Sequence, residues 1–259
     1  MGLSPSAARA GRVADVGTPD AHSLSRLVAH GKFYPLAGVN SYDIYLNDIK
    51  LGRATINVKR QGEEFVLQVV GKVRSFINNL FTMKYRGHAV ISPSVQPSEA
   101  MIEERKGSKT KTYLMKFIEP NRAVTVQIEE KPGKIPKRAQ QEFVSESLVL
   151  DPFSAVFFIR SREWRLGEEQ VFDVLTGKKQ YELRLGCKGE TKLRVDGELR
   201  EAWEIVLESR SVEDPRKIKV SGIVYLSKDS QREIIKVAGK HKIGKIKANM
   251  RRSEGAEEL

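Results

Sequence analysis

Residues 148–167 read LVLDPFSAVFFIRSREWRLG, and the fold turns on how this stretch is read. Asp151 is placed to cap a helix, because its carboxylate can accept the unpaired N–H groups of a first turn. Pro152 suits the first helical position, where no N–H is needed. The carboxylate also stands at the positive end of the helix dipole. Phe153, Val156, Phe157 and Ile159 recur near helical spacing, Arg160 and Arg162 fall towards the end, and Gly167 closes the segment. The stretch therefore predicts one short helix over about 151–163, with Asp151, Pro152 and Gly167 as its structural residues. It carries Phe153, Phe157, Phe158 and Trp164, more apolar surface than one exposed face requires. Full burial of such side chains contributes about 1.5–3 kcal/mol each, so the helix is expected to plug or close a sheet.

Outside this stretch the apolar period is two. Tyr42, Ile44 and Leu46 alternate with polar partners, Asn47-Asp48 turns, and Ala54, Ile56 and Val58 resume the alternation. Val124, Val126 and Ile128 face one way while Thr125, Gln127 and Glu129 face the other. SFINNLF (75–81) interrupts the pattern and reads as a bulge or short helical turn; KPGKIPKR (131–138) reads as a loop. After Gly167 the alternation returns through Tyr181, Leu183 and Leu185, through Trp203, Ile205 and Leu207, and through Ile246, Ala248 and Met250. Some dozen short strands joined by tight turns predict an all-β fold. We expect an antiparallel, strongly twisted sheet curled into a barrel-like or half-barrel shell, since curling removes exposed edges. Residues 1–38 read as a flexible leader with a short helix over Ser23–His30, 39–250 as one β-rich domain, and 251–259 as a charged tail.

The chain of 259 residues has a net charge of +12. Twelve Lys and Arg against three acids lie between Asp214 and Arg252, so the excess is concentrated near the C-terminus. No apolar run is long enough to span a membrane as a helix. The leader lacks the apolar core of a secretory signal. Cys187 is the single cysteine, which excludes an intramolecular disulfide and a thiolate metal cluster.

Motifs that carry chemistry are few. Gly239–Ile246, GKHKIGKI, fits G-x-x-x-x-G-K but has Ile246 where a magnesium-holding Ser or Thr belongs, and strand alternation comes after it. A basic hairpin is the better reading. The histidines have no carboxylate or cysteine at ligand spacing, which argues against a metal. Adjacent carboxylates such as Glu168-Glu169 point to opposite faces of a strand. The sequence thus predicts no catalytic residue, no metal, no cofactor and no enzyme.

The order Tyr42-x-Ile44-Tyr45, Leu51-Gly52-x-Ala54, then DPFSAVFFIR (151–160) and YLSKDSQREIIKV (225–237) resembles the bacterial family known as domain of unknown function 3108. Asp151-Pro152-x-Ser154-Ala155-x-Phe157-Phe158 is the most specific part, and the likeness runs from about Val39 to Met250. The resemblance implies an exported, periplasmic or outer-envelope-associated β-rich protein of no established activity. The late strand pair departs from the family pattern at Arg232-Glu233, where a basic residue followed by proline is expected.

Two ligand surfaces emerge from these readings. A concave face carrying Tyr45, Phe81, Tyr85, Tyr113, Phe157 and Trp203 would hold the apolar part of an amphiphile beneath the helix. Lys217, Lys219, Lys245 and Lys247 would hold an anionic part, as lipid head groups or acidic glycan. No Phe, Tyr or Trp occurs after Lys228, which argues against stacking on nucleic-acid bases. The expected function is a non-enzymatic envelope shell that binds lipid or glycan; the alternative is an assembly factor that docks on another envelope protein through a sheet edge.

Overall fold

The computed structural model describes residues 32–74, 82–195, 197–241 and 244–251. The leader with its Ser23–His30 segment, the SFINNLF connection with Phe81, and the tail from 252 lie outside the described residues.

Among the described residues, fifteen strands make one sheet. The N-terminal half supplies β1 (Gly38–Leu46), β2 (Ile49–Gln61), β3 (Glu64–Arg74), β4 (Thr82–Ile91), β5 (Pro97–Lys106), β6 (Lys109–Glu119), β7 (Arg122–Glu130) and β8 (Lys137–Val144). After the two-residue β9 (Val149–Leu150) and the helix α1 (Pro152–Ser161) come β10 (Glu169–Leu175), β11 (Gln180–Val195), β12 (Glu198–Ser211), β13 (Asp214–Ser227), β14 (Ile234–His241) and β15 (Gly244–Arg251). The spatial order is β8-β7-β6-β5-β4-β3-β2-β1-β15-β14-β13-β12-β11-β10-β9. Two meanders are therefore joined by β1 pairing with β15, and β8 and β9 stand at the ends. Every pairing is antiparallel save β9 with β10. The sheet is strongly twisted and curls around the helix without closing into a barrel.

The hairpins obey local chemistry. Asn47 and Asp48 both take positive φ (47° and 67°), the primed turn that matches the twist of its flanking strands. The expected loop at 131–138 ends at Pro136. Lys137 begins β8, a strand with no apolar alternation of its own, made a strand by pairing with β7.

Asp151 caps α1 as expected: its Oδ1 accepts from the amides of Phe153 (2.8 Å) and Ser154 (3.2 Å), and the Ser154 hydroxyl donates to Oδ2. The helix stops at Ser161, two residues early, because Arg162 adopts extended backbone. Trp164 Nε1 then donates to the Ile159 carbonyl at 2.9 Å and folds the next turn back onto the helix.

The helix lies in the concavity. Phe153 rests against Gly87 of β4, Phe157 against Phe65 of β3, and Phe158 against Phe172 of β10 at 4.7 Å between ring centres. At its far end Arg160 donates to the carbonyls of Gln231 (3.0 Å) and Arg232 (3.1 Å), and Arg232 Nε returns a bond to the Arg160 carbonyl (2.5 Å). Residues 32–37 cross this end of the shell. The Phe33 amide donates to Pro93, the Leu36 amide to Gln231, and the Phe33 ring lies by the guanidinium groups of Arg160 and Arg232 (5.5 and 5.4 Å).

Candidate functional site

The concave face is the first candidate, and the structure shows it filled. Phe65, Phe157, Phe172, Leu185 and Ile205 are fully buried, and they belong to one core with Tyr113 and Phe153. Tyr85 lies edge-on to Phe153 at 6.3 Å. Burial pushes the hydroxyl pKa of Tyr85 up, with Glu104 and Asp151 adding to the effect; burial takes Tyr42 to about 12. Tyr113 is buried against the turn at Gly177, where a Cβ would stand 2.5 Å from its side chain. Trp203 packs on the same core, with Lys228 Nζ 4.6 Å from its ring. The structure thus brings Tyr85, Tyr113, Phe157 and Trp203 to the interior, as packing around the helix.

Tyr45 corrects the expectation. Tyr42 and Ile44 pair with Met250 and Ala248, which pack on the core, whereas Tyr45 pairs with Lys247. Directly opposed residues share a face, so Tyr45 lies outside. Asp43 shares that face, with Lys50 at 2.7 Å, Arg53 at 3.4 Å and Arg251 at 3.8 Å. Burial works against its ionisation, but these cations outweigh it and hold the carboxyl below its ordinary range.

The alternation expected of β15 places Lys245 and Lys247 on this outer face. Lys245 stands directly opposite Lys240, and Lys247 pairs with Asp48. Lys219 lies on β13 two residues before Ser221, which pairs with Lys240. Lys240 therefore joins the group, a residue that residue type and spacing did not single out. The backbone of Lys217 belongs to β13.

A second candidate lies where the sheet's two ends face each other. β8 hydrogen-bonds only to β7 among the described residues, and seven of its eight residues are exposed. Beside it opens a cleft of about 810 Å³. Arg122, Glu142 and Val144 line it from the β7–β8 side; Asp173, Glu182 and Arg210 face them from the other. Asp173 is buried and accepts from Ser145 Oγ (2.5 Å) and Gln180 Nε2 (2.6 Å). Burial raises its pKa, those two bonds pull it back, and Glu182 pushes it up again. With Glu119 and Glu146 at the rim, five carboxyl groups meet two arginines, an acidic cleft in a basic protein. No local sequence pattern marks it, since its members come from five separate segments.

A family model described as a protein of unknown function (DUF3108) matches residues 41–251. The chain belongs to that family. A search of curated proteins finds no significant match. Among solved structures, the chain is similar to a β-barrel-like protein of domain of unknown function DUF1849 from Brucella abortus. The TM-score is 0.57 at 9% identity, over 84% of this chain and 97% of that one. A candidate lipoprotein from Parabacteroides distasonis aligns with TM-score 0.33 at 8% identity, over 85% of this chain and 97% of that one. The first likeness bears out the barrel-like β architecture of this DUF3108 protein.

Proposed function

We propose that this DUF3108 protein is a non-enzymatic docking scaffold of the bacterial envelope, periplasmic or attached to the outer envelope. Its partner is another envelope protein, which contributes an extended, basic segment along the free edge of β8. The observation that carries this reading is the exposure of β8 beside an acidic cleft. An exposed edge offers unpaired N–H and C=O groups, and strand addition uses them for affinity while neighbouring pockets give specificity. Edge strands are ordinarily blunted by proline, bulges, charged side chains or a covering element; β8 has no proline, pairs with β7 in unbroken register, and carries its charges at Lys137, Arg138 and Glu142, which leaves Ala139–Gln141 uncharged. The filled interior favours docking over carrying, because an acyl chain would have to displace the helix.

A photo-crosslinker placed at Gln140 should capture one envelope protein in about 0.5 M salt, where charge attraction alone is screened, while the same group at Thr55 on a central strand should not. With the crosslinker kept at Gln140, Glu142→Pro, at a residue whose N–H also points away from β7, should abolish capture without loss of fold. Equal capture from both positions, or capture that salt removes, would overturn the reading.

A second reading keeps the lipid or glycan ligand but moves it to the outer face. It is favoured by Lys240 standing directly opposite Lys245 with Lys247 alongside, since like charges placed in register are costly unless an anion meets them.

A further inference from the structure

A cavity of about 730 Å³ opens at the C-terminal end of α1 and shares no lining residue with the acidic cleft. Four cations line it, Lys32, Arg162, Arg165 and Arg232, against two carboxylates, Glu163 and Glu168, so its wall carries +2. Arg162 is the unusual member. It is 6 % exposed, yet its Nη1 has no hydrogen-bond partner among the described residues. Its ion pair is loose: Nη2 stands 3.5 Å from Glu168 Oε1, which already accepts from Gln170 Nε2 at 3.0 Å. Glu168 Oε2 is taken by the Arg165 amide at 3.2 Å. The Arg162 guanidinium lies instead by the Phe158 ring, 5.5 Å from its centre. A guanidinium stays charged and brings five donors with it, and buried donors without a partner are rare in folded proteins.

Cations gather at helix C-termini for a plain reason, to meet unpaired carbonyls and the negative end of the dipole. Here those carbonyls are already bound. Ser161 Oγ donates to Phe158 O (2.8 Å), Trp164 Nε1 to Ile159 O (2.9 Å) and Arg232 Nε to Arg160 O (2.5 Å). The helix end therefore accounts for Arg232 Nε and leaves Arg162 and Arg165 unexplained. Arg232 is held in place by its backbone, which takes a left-handed φ of 45° while its amide donates to Asp229 Oδ1 at 3.0 Å. Its two Nη groups, the Arg165 guanidinium and Lys32 Nζ have no carboxylate partner among the described residues. Packing does not explain Arg162 either, since methionine would cover Phe158 without burying a charge.

We infer that this cavity binds a phosphate monoester group, with Arg162 at its buried wall and Arg165, Arg232 and Lys32 around it. The inference goes beyond the docking reading and stands whether or not β8 takes a partner. Charge selects the group. A phosphate monoester carries nearly two negative charges at pH 7 and balances the +2 of the wall, whereas a single carboxylate would leave it positive. Geometry agrees, because planar guanidinium forks meet phosphate oxygens two at a time. The volume lies in the range of small-molecule sites and exceeds what one phosphate fills, so the group arrives on a larger molecule.

Isothermal titration of the full chain in chloride buffer tests this, with inorganic phosphate as the probe and acetate at equal ionic strength as the control. One phosphate should bind per chain, at least about 10-fold more tightly than acetate. R162M should weaken phosphate at least about 10-fold. Its melting temperature should equal or exceed the wild type's, since Glu168 keeps the Gln170 and Arg165 bonds. R165A, at an exposed site whose side chain supports nothing else, should weaken phosphate about 3-fold. K72A, which removes an exposed cation from β3, should leave it unchanged. Acetate binding as tightly as phosphate, binding unchanged in both R162M and R165A, equal loss in K72A, or a lower melting temperature for R162M would each overturn the assignment. Two further probes separate the sources of the group. Tighter binding of glucose 6-phosphate than of inorganic phosphate would assign a soluble monoester, and tighter binding of phosphatidic acid vesicles would assign a lipid head group; R162M should abolish either gain, and a gain that survives R162M would place the monoester elsewhere.

Discussion

Gly87 tests whether the helix is seated inside the shell. A Cβ built on it would lie 2.0 Å from Phe153 Cζ and 2.6 and 2.7 Å from the two Cε atoms. An ordinary carbon contact needs about 3.5 Å, so the ring would have to retreat by about 1.5 Å. It has little room to do so, since Phe153 is 7 % exposed and Tyr85 flanks it. Overpacking of this kind costs about 1–3 kcal/mol. Leucine has no Cζ or Cε atoms, so Phe153→Leu removes every atom in the clash. Gly87→Ala should therefore lose about 1–3 kcal/mol in the wild type and almost nothing in the Phe153→Leu background. Urea unfolding monitored by tryptophan fluorescence reads this directly, because Trp164 is buried at the end of the helix. Independent sites add to within about 0.5 kcal/mol. Additive losses, or a neutral Gly87→Ala, would mean that Phe153 does not rest on β4, and the claim of a filled interior would fail.

Asp151→Ala removes the cap and leaves the buried amides of Phe153 and Ser154 without their acceptor. We expect a loss of about 2–4 kcal/mol in urea unfolding, with Asp151→Asn losing less; a change below about 0.5 kcal/mol would refute the cap's role. Glu129 is held from the ordinary 4.5 down to about 2 by hydrogen bonds from Lys109 and Lys131, which outweigh the opposing effect of burial. A lowered folded-state pKa stabilises the native state above pH 4.5, and that contribution disappears as pH falls from 4.5 towards 2. An NMR titration should place the Glu129 midpoint near 2 and move it upwards in K109A/K131A; a midpoint unchanged by the double variant would refute the assignment.

The helix is legible because its start is written in local chemistry: an acceptor, a proline and a helical period within a few residues. The hairpins are legible for the same reason. The face of Tyr45 is legible too, since Tyr42-Asp43-Ile44-Tyr45 alternates and puts Tyr45 with Asp43. Grouping it with the other aromatics relies on residue type where parity should decide. β8 is hidden because KRAQQEFV has neither period; only β7 makes it a strand.

The position of the helix in the chain also bears on how a partner at β8 would be received. The strands flanking it in sequence, β8 and β9–β10, are the two ends of the sheet, so the linker after β8 crosses the gap between them. That linker is fixed on both sides. Ser145 N donates to the Asn121 carbonyl and Val149 N to Pro120, while Asp173 N donates to Leu148 and Ser145 Oγ to the Asp173 carboxylate. These bonds lie between β8 and the cap at Asp151, and none of them uses the outer edge of β8. A strand added there would meet a linker whose Ser145, Ser147 and Val149 amides are already bound, and it would lengthen the sheet without drawing the helix out of its seat. Docking at β8 would therefore be a rigid-body event, and it would leave the filled interior as it is.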